Sequence, residues 1–378
     1  MTLLKSRPVK ILAIVLSIIF LFIIGVMAFI NFAPQFGAKP SGEHLQQISS
    51  SPNYGEDQFV NQIETIQDMS FSNMWAALKE SISAKNTSPK EAFETYFGTE
   101  KPTPSDSNVV VTWYGHSAIL LEIEGKRIFL DPMLGPHSSP VSFFGKRFKN
   151  KPPFDLDKLG QLDAVIFSHD HYDHLDYYTI KRIKEQVGHF YTPLGLGSHL
   201  QAWGVPASKI TELDWWDSAQ FGHFTFTATP ARHFSGRGTG DRNKTQWASW
   251  VIEGHSNKIY FSGDSGYGPH FQEIGKRMGP FDFAFMECGQ YNDKWANIHM
   301  MPEQTVQAAL DLKAKKMMPI HWGGFSLAPH EWYDPADRVA KAAAAKSIEL
   351  ITPKIGKGFS LQQEDLPKGQ WWEAYKPN

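Results

Sequence analysis

Apolar positions divide the chain into one unbroken block and a long series of short runs. Ile11 to Ile30 is apolar apart from Ser17 and Gly25, and none of it is charged. A helix of about 20 such residues is long enough to cross the hydrocarbon core of a bilayer. Lys5, Arg7 and Lys10 precede the block. The positive-inside rule then keeps residues 1–10 in the cytoplasm and exports the remainder to the extracytoplasmic, periplasmic side. A cleaved signal peptide is the rival reading, with Val26-Met27-Ala28 as a weak cleavage site. The length of the run favours a retained transmembrane anchor over 11–30. Residues 31–108 are a polar lead-in. Pro34, Gly37, Pro40 and Gly42 mark a linker. Met74, Leu78 and Ile82 recur at four-residue spacing, which predicts a helix over Phe71 to Ser83 packing on the outside of the main domain.

From Val109 the pattern shortens to strand-length runs. Val109 to Trp113, Ala118 to Ile123 and Arg127 to Leu130 read as strands, the last two joined by a Glu124-Gly125 turn. Asp163 to Phe167, Gly222 to Thr229, Trp250 to Glu253, Lys258 to Phe261, Phe281 to Met286, Lys316 to Ile320 and Ile348 to Ile351 follow. Helices are predicted over Tyr177 to Val187, over Pro302 to Leu312 with proline in its first turn, and over the alanine-rich Asp334 to Lys346. Strands outnumber helices, yet helices recur between them. That mixture predicts two sheets flanked by helices, in one domain spanning 109–378. Trp371-Trp372 could lie at a membrane interface or cap the core.

Composition narrows the chemistry. Apolar residues make up 42% and charged residues 20% of 378, an ordinary globular balance. The formal net charge of −2 gives no electrostatic case for nucleic acid. Cys288 is the single cysteine, so no internal disulfide forms and any metal must be held by His, Asp or Glu.

Those ligands crowd into Ser168-His169-Asp170-His171-Tyr172-Asp173-His174, directly after a predicted strand. Histidine is only 15 of 378 residues, so three within six positions point to a metal site rather than a polar turn. His169 and His171 can supply nitrogens to one ion, and Asp173 and His174 ligands to a second. Imidazole with carboxylate suits zinc, and also iron or manganese. His233, Asp264 and His321 each follow another apolar strand. If the four strand ends meet at one rim, His169, His171 and His233 hold one ion and Asp173, His174 and His321 the other, with Asp264 between. Water shared by two such ions ionises near neutral pH and becomes a nucleophile. His299 is not needed to complete either ion. It could act as a general acid, donate to a developing negative charge, or merely orient a ligand. Asp173 and His299 are the candidate catalytic residues. His116 and Asp131, at strand ends of the same domain, read as supports behind the ligands.

The His-x-His-x-Asp-His pattern after an apolar strand is the signature of the metallo-β-lactamase superfamily. Trp113-Tyr114-Gly115-His116-Ser117-Ala118, Leu130-Asp131-Pro132, Ser262-Gly263-Asp264-Ser265-Gly266-Tyr267 and Ile320-His321-Trp322-Gly323 more narrowly resemble N-acylphosphatidylethanolamine-hydrolysing phospholipase D and its bacterial relatives. The likeness covers roughly Val109 to Ala336. It implies a four-layer αββα sandwich, two zinc ions on the seven ligands named above, and a phospholipid substrate cut on the head-group side of phosphate. His299 matches a catalytic histidine of that family. The animal enzyme has glutamine just before it, where this chain has Ile298; Gln290 or Asn292 could replace the missing amide. The resemblance is compatible with a homodimer at the membrane. The same metals could instead serve another ester, lactone or phosphoester. A redox di-iron protein would be expected to carry a carboxylate in place of His171 and a flavin domain. A non-enzymatic member would be expected to have lost ligands.

Overall fold

Side chains of successive strand residues point to opposite faces, and here both faces of nearly every central strand are apolar. Each sheet must therefore be covered twice, once by the other sheet and once by helices. A computed structural model describes residues 7–68, 70–97 and 108–377; Lys5 of the basic flank lies outside them. A short parallel pair joins β1 (Phe93–Glu94) to β5 (Asn150–Lys151). The first seven-stranded sheet contains β2 (Val109–Trp113), β3 (Ile119–Ile123), β4 (Lys126–Leu130), β6 (Leu162–Ile166), β7 (Val187–Pro193) and β8 (Ile210–Leu213) in that order, with β16 (Phe359–Ser360) outside β2. The second runs β9 (Ser218–Phe221), β10 (Phe224–Thr229), β11 (Ser249–Glu253), β12 (Lys258–Phe261), β13 (Phe283–Glu287), β14 (Lys316–Ile320) and β15 (Glu349–Leu350).

The helices are α1 (Arg7–Phe32), α2 (Gly42–Ile48), α3 (Phe71–Ser83), α4 (Tyr177–Ile183), α5 (Gly197–Ala202), α6 (His270–Arg277), α7 (Pro302–Asp311) and α8 (Asp334–Lys346). Alternation sorts the core into layers. Ala164 and Ile166 of β6 face Phe226, Trp250 and Phe285 of the other sheet. Val165 and Phe167 point outward, among Ile180 and Ile183 of α4. Met286 and Met317 meet Val306 and Ala309 of α7 and Val339 of α8. The result is helix, sheet, sheet, helix: the αββα sandwich expected of the metallo-β-lactamase fold.

One sequence expectation is corrected. The helix predicted to Val187 stops at Ile183 and passes through a 3₁₀ turn, and Val187 opens β7. Leu162↔Val187 and Ala164↔His189 pairing claims the segment for the sheet, a long-range contact that local periodicity does not register. The helix expected over Phe71 to Ser83 is α3; it buries none of its residues, and its Met74 and Ala77 line a cavity. Trp371-Trp372 caps the core: Trp372 is fully buried, and Trp371 lies 5.6 Å from the Trp322 ring and 5.4 Å from Phe93. Phe93 itself is fully buried among Trp332 and Tyr375, at 5.2 and 5.0 Å. Among the described residues, α1 is the one helix long and apolar enough to cross a membrane, and no part of it is buried.

Candidate metal centre

Strand direction assembles the site. β12, β13 and β14 are parallel, and β10 is two antiparallel steps from β12, so all four end at one edge. His233, Asp264, Glu287 and His321 lie at or just past those ends. β6 of the first sheet delivers His169, His171, Asp173 and His174 to the same rim. The two sheets are stitched there by His321 N–H to His116 O at 3.0 Å and His116 N–H to Trp322 O at 2.7 Å. His116, Asp131 and His321 all have positive φ, at 54°, 39° and 67°. Non-glycine residues held there store backbone strain, which concentrates at functional sites.

His169, His171 and His233 form one cluster, with ligand atoms within 4.8 Å of one another. His233 Nδ1–H donates to Ile298 O at 3.0 Å, and His169 Nδ1 lies 2.9 Å from Ser168 Oγ. Both rings are thereby set with their Nε2 lone pairs forward. Those atoms lie 3.2 and 2.8 Å from one nitrogen, His171 Nδ1. A neutral imidazole has one N–H to give, so His171 cannot satisfy both. Three nitrogens converging this way fit a cation at their centre.

The second cluster is His116, Asp173, His174 and His321. Asp131 Oδ2 accepts from His174 Nδ1 at 2.7 Å, and Asp131 Oδ1 from Ser168 N–H at 2.7 Å. That leaves His174 Nε2 buried with no hydrogen-bond partner among the described residues. His116 Nε2 lies 2.8 Å from Asp173 Oδ2 and braces that carboxylate. Asp264 sits between the clusters. Its Oδ2 is 3.1 Å from His174 Nε2 and 3.8 Å from both His169 and His233 Nε2, and its Oδ1 is 3.0 Å from His321 Nδ1. The Oδ1 contact is near but misaligned, and that oxygen too has no hydrogen-bond partner. Buried nitrogen and oxygen without hydrogen-bond partners, facing one space, are chemistry that a bound cation would satisfy. All seven candidate ligands are brought together, and the donor set fits two ions.

Electrostatics agree with ligation. Burial pushes the imidazolium forms of His169, His233 and His321 well below their usual range, and those of His116 and His171 down to about 4. Neutral imidazole is the ligating form. Burial lifts Asp264 to about 6. Burial also opposes charge on His174, but Asp264, Asp173 and Asp131 outweigh it and raise its pKa, the response of a carboxylate cluster that wants a positive charge.

His299 stands beside this set, its ring 5.1 Å from those of His233 and His321. Its Nδ1 is 3.2 Å from Oε1 of Glu287, a fully buried carboxyl that the sequence reading passed over. The signal was present: Glu287 ends an apolar strand, as Asp264 nearly does. Glu287 Oε2 accepts from Met300 N–H at 2.9 Å, and burial pushes the carboxyl well above its usual range. Arg237 was also missed, and no local pattern marks it. Fully buried, it donates to Leu175 O at 2.8 Å and to Asp170 O, bracing the ligand loop from 60-odd residues away. Asp170 turns away from both clusters and accepts from Gly236 N–H at 2.8 Å and Thr245 Oγ at 2.9 Å. Neither amide offered in place of the missing glutamine is free. Gln290 Nε2 donates to His321 O and Phe325 O, and Asn292 caps a 3₁₀ turn while donating to Glu80.

Above the clusters opens a cavity of about 420 Å³. His171, Asp173, Asp264, His299 and His321 border its inner end; Met74, Phe234, Trp295 and Ile298 line its walls, with Arg242 and Lys294 beside them.

Comparison with known proteins bears on this geometry. A family model described as a Beta-lactamase superfamily domain matches residues 126–322. The uncharacterized protein Rv0906 of Mycobacterium tuberculosis is 44% identical over 255 residues, covering 66% of this chain and 68% of that protein. N-acyl-phosphatidylethanolamine-hydrolyzing phospholipase D 1 of Caenorhabditis elegans is 34% identical over 271 residues, covering 67% of this chain and 76% of the worm protein. Among solved structures, the metallo hydrolase Igni18 of Ignicoccus hospitalis shares the fold, with a TM-score of 0.53 at 20% identity over 68% of this chain and all of that one. The family match spans half of the chain and the sandwich carries a clustered His/Asp rim, so the chain belongs to the metallo-β-lactamase superfamily, as a metallo-hydrolase.

Proposed function

We propose that this hydrolase is a binuclear zinc phosphodiesterase of phospholipase D type, cutting N-acylphosphatidylethanolamine-like lipids at a membrane held by α1. The observation that carries the reading is the cavity: apolar walls, Arg242 and the clustered His/Asp rim in one space suit a substrate with hydrocarbon, phosphate and a scissile ester. The resemblance to the worm enzyme favours the same class. Two zinc ions bound by the seven ligands would supply water activation at neutral pH and positive charge against developing negative charge. The protein contributes the rest. Asp131 and His116 fix the ligand orientations. Glu287, kept protonated by burial, donates to His299 Nδ1 and leaves the N–H at Nε2 facing the cavity. That N–H is placed to stabilise the departing oxygen. Ile298 puts an alkyl chain where an amide would read the head group, so selectivity for it is weaker than a glutamine would give.

The test is product analysis by mass spectrometry. Purified, zinc-loaded protein is given mixed micelles of N-acylphosphatidylethanolamine, or of unacylated phosphatidylethanolamine. Phosphatidic acid from the first alone establishes the N-acyl-specific reading. Phosphatidic acid from both means a broader phospholipase. None from either, with both metals bound, moves the assignment to another ester or phosphoester.

A further inference from the structure

Large apolar side chains are costly to leave in water, and here their exposure outside α1 is not scattered. Apart from Val60, Tyr178 and Leu310, it gathers in two places among the described residues. One is the stretch that leads into and forms α3, where Phe71, Trp75, Leu78 and Ile82 are 83, 50, 47 and 76% exposed. The other is a single loop tip, Phe143-Phe144, at 79 and 65%. Soluble surfaces rarely gather apolar area this way without a partner.

Hydrogen bonds link both places to the root of α1, the loop directly and α3 through an intervening segment. The loop is closed by Ser138 N–H to Gly145 O at 2.8 Å, which projects the two phenylalanines from its end. Gln35, just past α1, donates to Pro140 O of this loop at 2.9 Å. Phe36 packs edge-on against Tyr172, 6.3 Å away and next to the ligand His171. The segment 234–245 also meets that root. It is tied to the root by Lys39 to Gly240 O at 2.9 Å and by Arg237 to Gln35 O at 2.8 Å. It reaches the start of α3 through the contact of Arg242 with Gln67. Met74 of α3 then borders the cavity. So α1, the loop tip and α3 stand around one rim, and that rim holds the metal ligands.

From this arrangement we infer that Phe143, Phe144 and the outer face of α3 dock into the same bilayer that α1 enters, pressing the cavity mouth onto an anionic lipid surface. The inference rests on the proposed lipid reading and names the surface that serves it. Continuity with α1, a 26-residue apolar helix with no buried residue, selects a bilayer as the occupant. Charge agrees: Lys146, Lys149 and Lys151, all exposed, follow the aromatic tip, and Lys79 lies over the Trp75 ring at 5.6 Å. Aromatic and aliphatic side chains flanked by lysine make an interfacial anchor. A short helix lying in the head-group layer would also shorten the path of a lipid from bilayer to metal.

The test uses the full chain in nanodiscs containing phosphatidylglycerol. Cys288 is fully buried, so the parent protein is the labelling blank. Nitroxide labels are placed at L78C, at F143C and at S256C, the last in the β11–β12 turn far from the rim. Labels at 78 and 143 that are open to oxygen and closed to a water-soluble nickel complex, with 256 the reverse, support the inference. Labels at 78 and 143 as open to nickel as 256 overturn it. Closure to both reagents with spin coupling between copies also overturns it, in favour of a second chain. A paired variant, F143S/F144S, is expected to lose about tenfold of its rate on vesicles and none on dispersed short-chain substrate; equal rates on vesicles count against docking. Docking without phosphatidic acid sinks the reaction alone, and phosphatidic acid without docking sinks this inference alone.

Discussion

Asp131→Asn tests the metal centre without touching a ligand. Asp131 is fully buried and bridges Ser168 N–H and His174 Nδ1, each at 2.7 Å. Asparagine keeps the volume, and it tolerates the φ of 39° as well as aspartate does. What changes is the donor pattern. If the amide oxygen stays on Ser168 N–H, the amide NH₂ faces His174 Nδ1–H. Two donors then meet, and the imidazole relieves the clash by moving its proton to Nε2, the atom that would hold the metal. A hydrogen bond to a charged group contributes about 1.5–3 kcal/mol. Loss of an outer partner of a ligating histidine typically costs about 10–100-fold in metal affinity, which is about 1.4–2.7 kcal/mol. The two routes agree. The assay is zinc titration against a chromophoric chelator, on wild type and variant. One of the two equivalents is expected to weaken by about 10–100-fold. The other should weaken less, because Asp131 reaches the His169 cluster only through Ser168. Two equivalents bound as in wild type, in a variant with native circular dichroism, would refute the assignment of Asp131 as the group that sets His174.

Three other outcomes are expected. His299→Ala should keep both metal equivalents by elemental analysis while kcat falls by about 10²–10³, the usual cost of one donor to a developing oxyanion; Glu287→Gln, whose amide still donates to Nδ1, should keep most of the rate. Phe93→Ala should destabilise by about 3–5 kcal/mol in urea unfolding, because the ring is fully buried among Trp332, Trp371 and Tyr375; a loss below about 1 kcal/mol would mean the segment before Val109 does not belong to the core. His44 has its pKa raised by the hydrogen bond to Glu212 at 2.7 Å, against the pull of burial. Its contribution is complete below the ordinary histidine pKa of 6.5 and lost as pH rises through the raised value. Intrinsic-rate-corrected hydrogen exchange across α2 should therefore quicken from pH 6 to pH 9, and flat protection factors over that range would contradict the sign.

Much of the site was legible because its signals are local. The apolar block of α1 stands out by composition. Asp334 to Lys346 has the periodicity and alanine content of its helix, and Phe71 to Ser83 the spacing of α3. The candidate ligands could be read because each follows a strand, and a strand end is marked in sequence by the point where apolar residues stop. What the sequence could not determine is which distant segments share a surface. Val187 has the look of a helix end until β6 pairs with it. Glu287 is one acidic residue among many until His299 comes to rest on it. Arg237 braces Asp170 and Leu175 across 60-odd residues, and no periodicity encodes such a distance. Trp371-Trp372 is apolar enough for either a membrane or a core, and the presence of Phe93 and Trp322 decides for the core. Local pattern records the conformation a segment favours by itself and which of its faces avoids water. Which partner covers that face is settled by long-range packing, so α3 can be read from sequence as an amphipathic helix, while its place over the metal rim belongs to the tertiary structure alone.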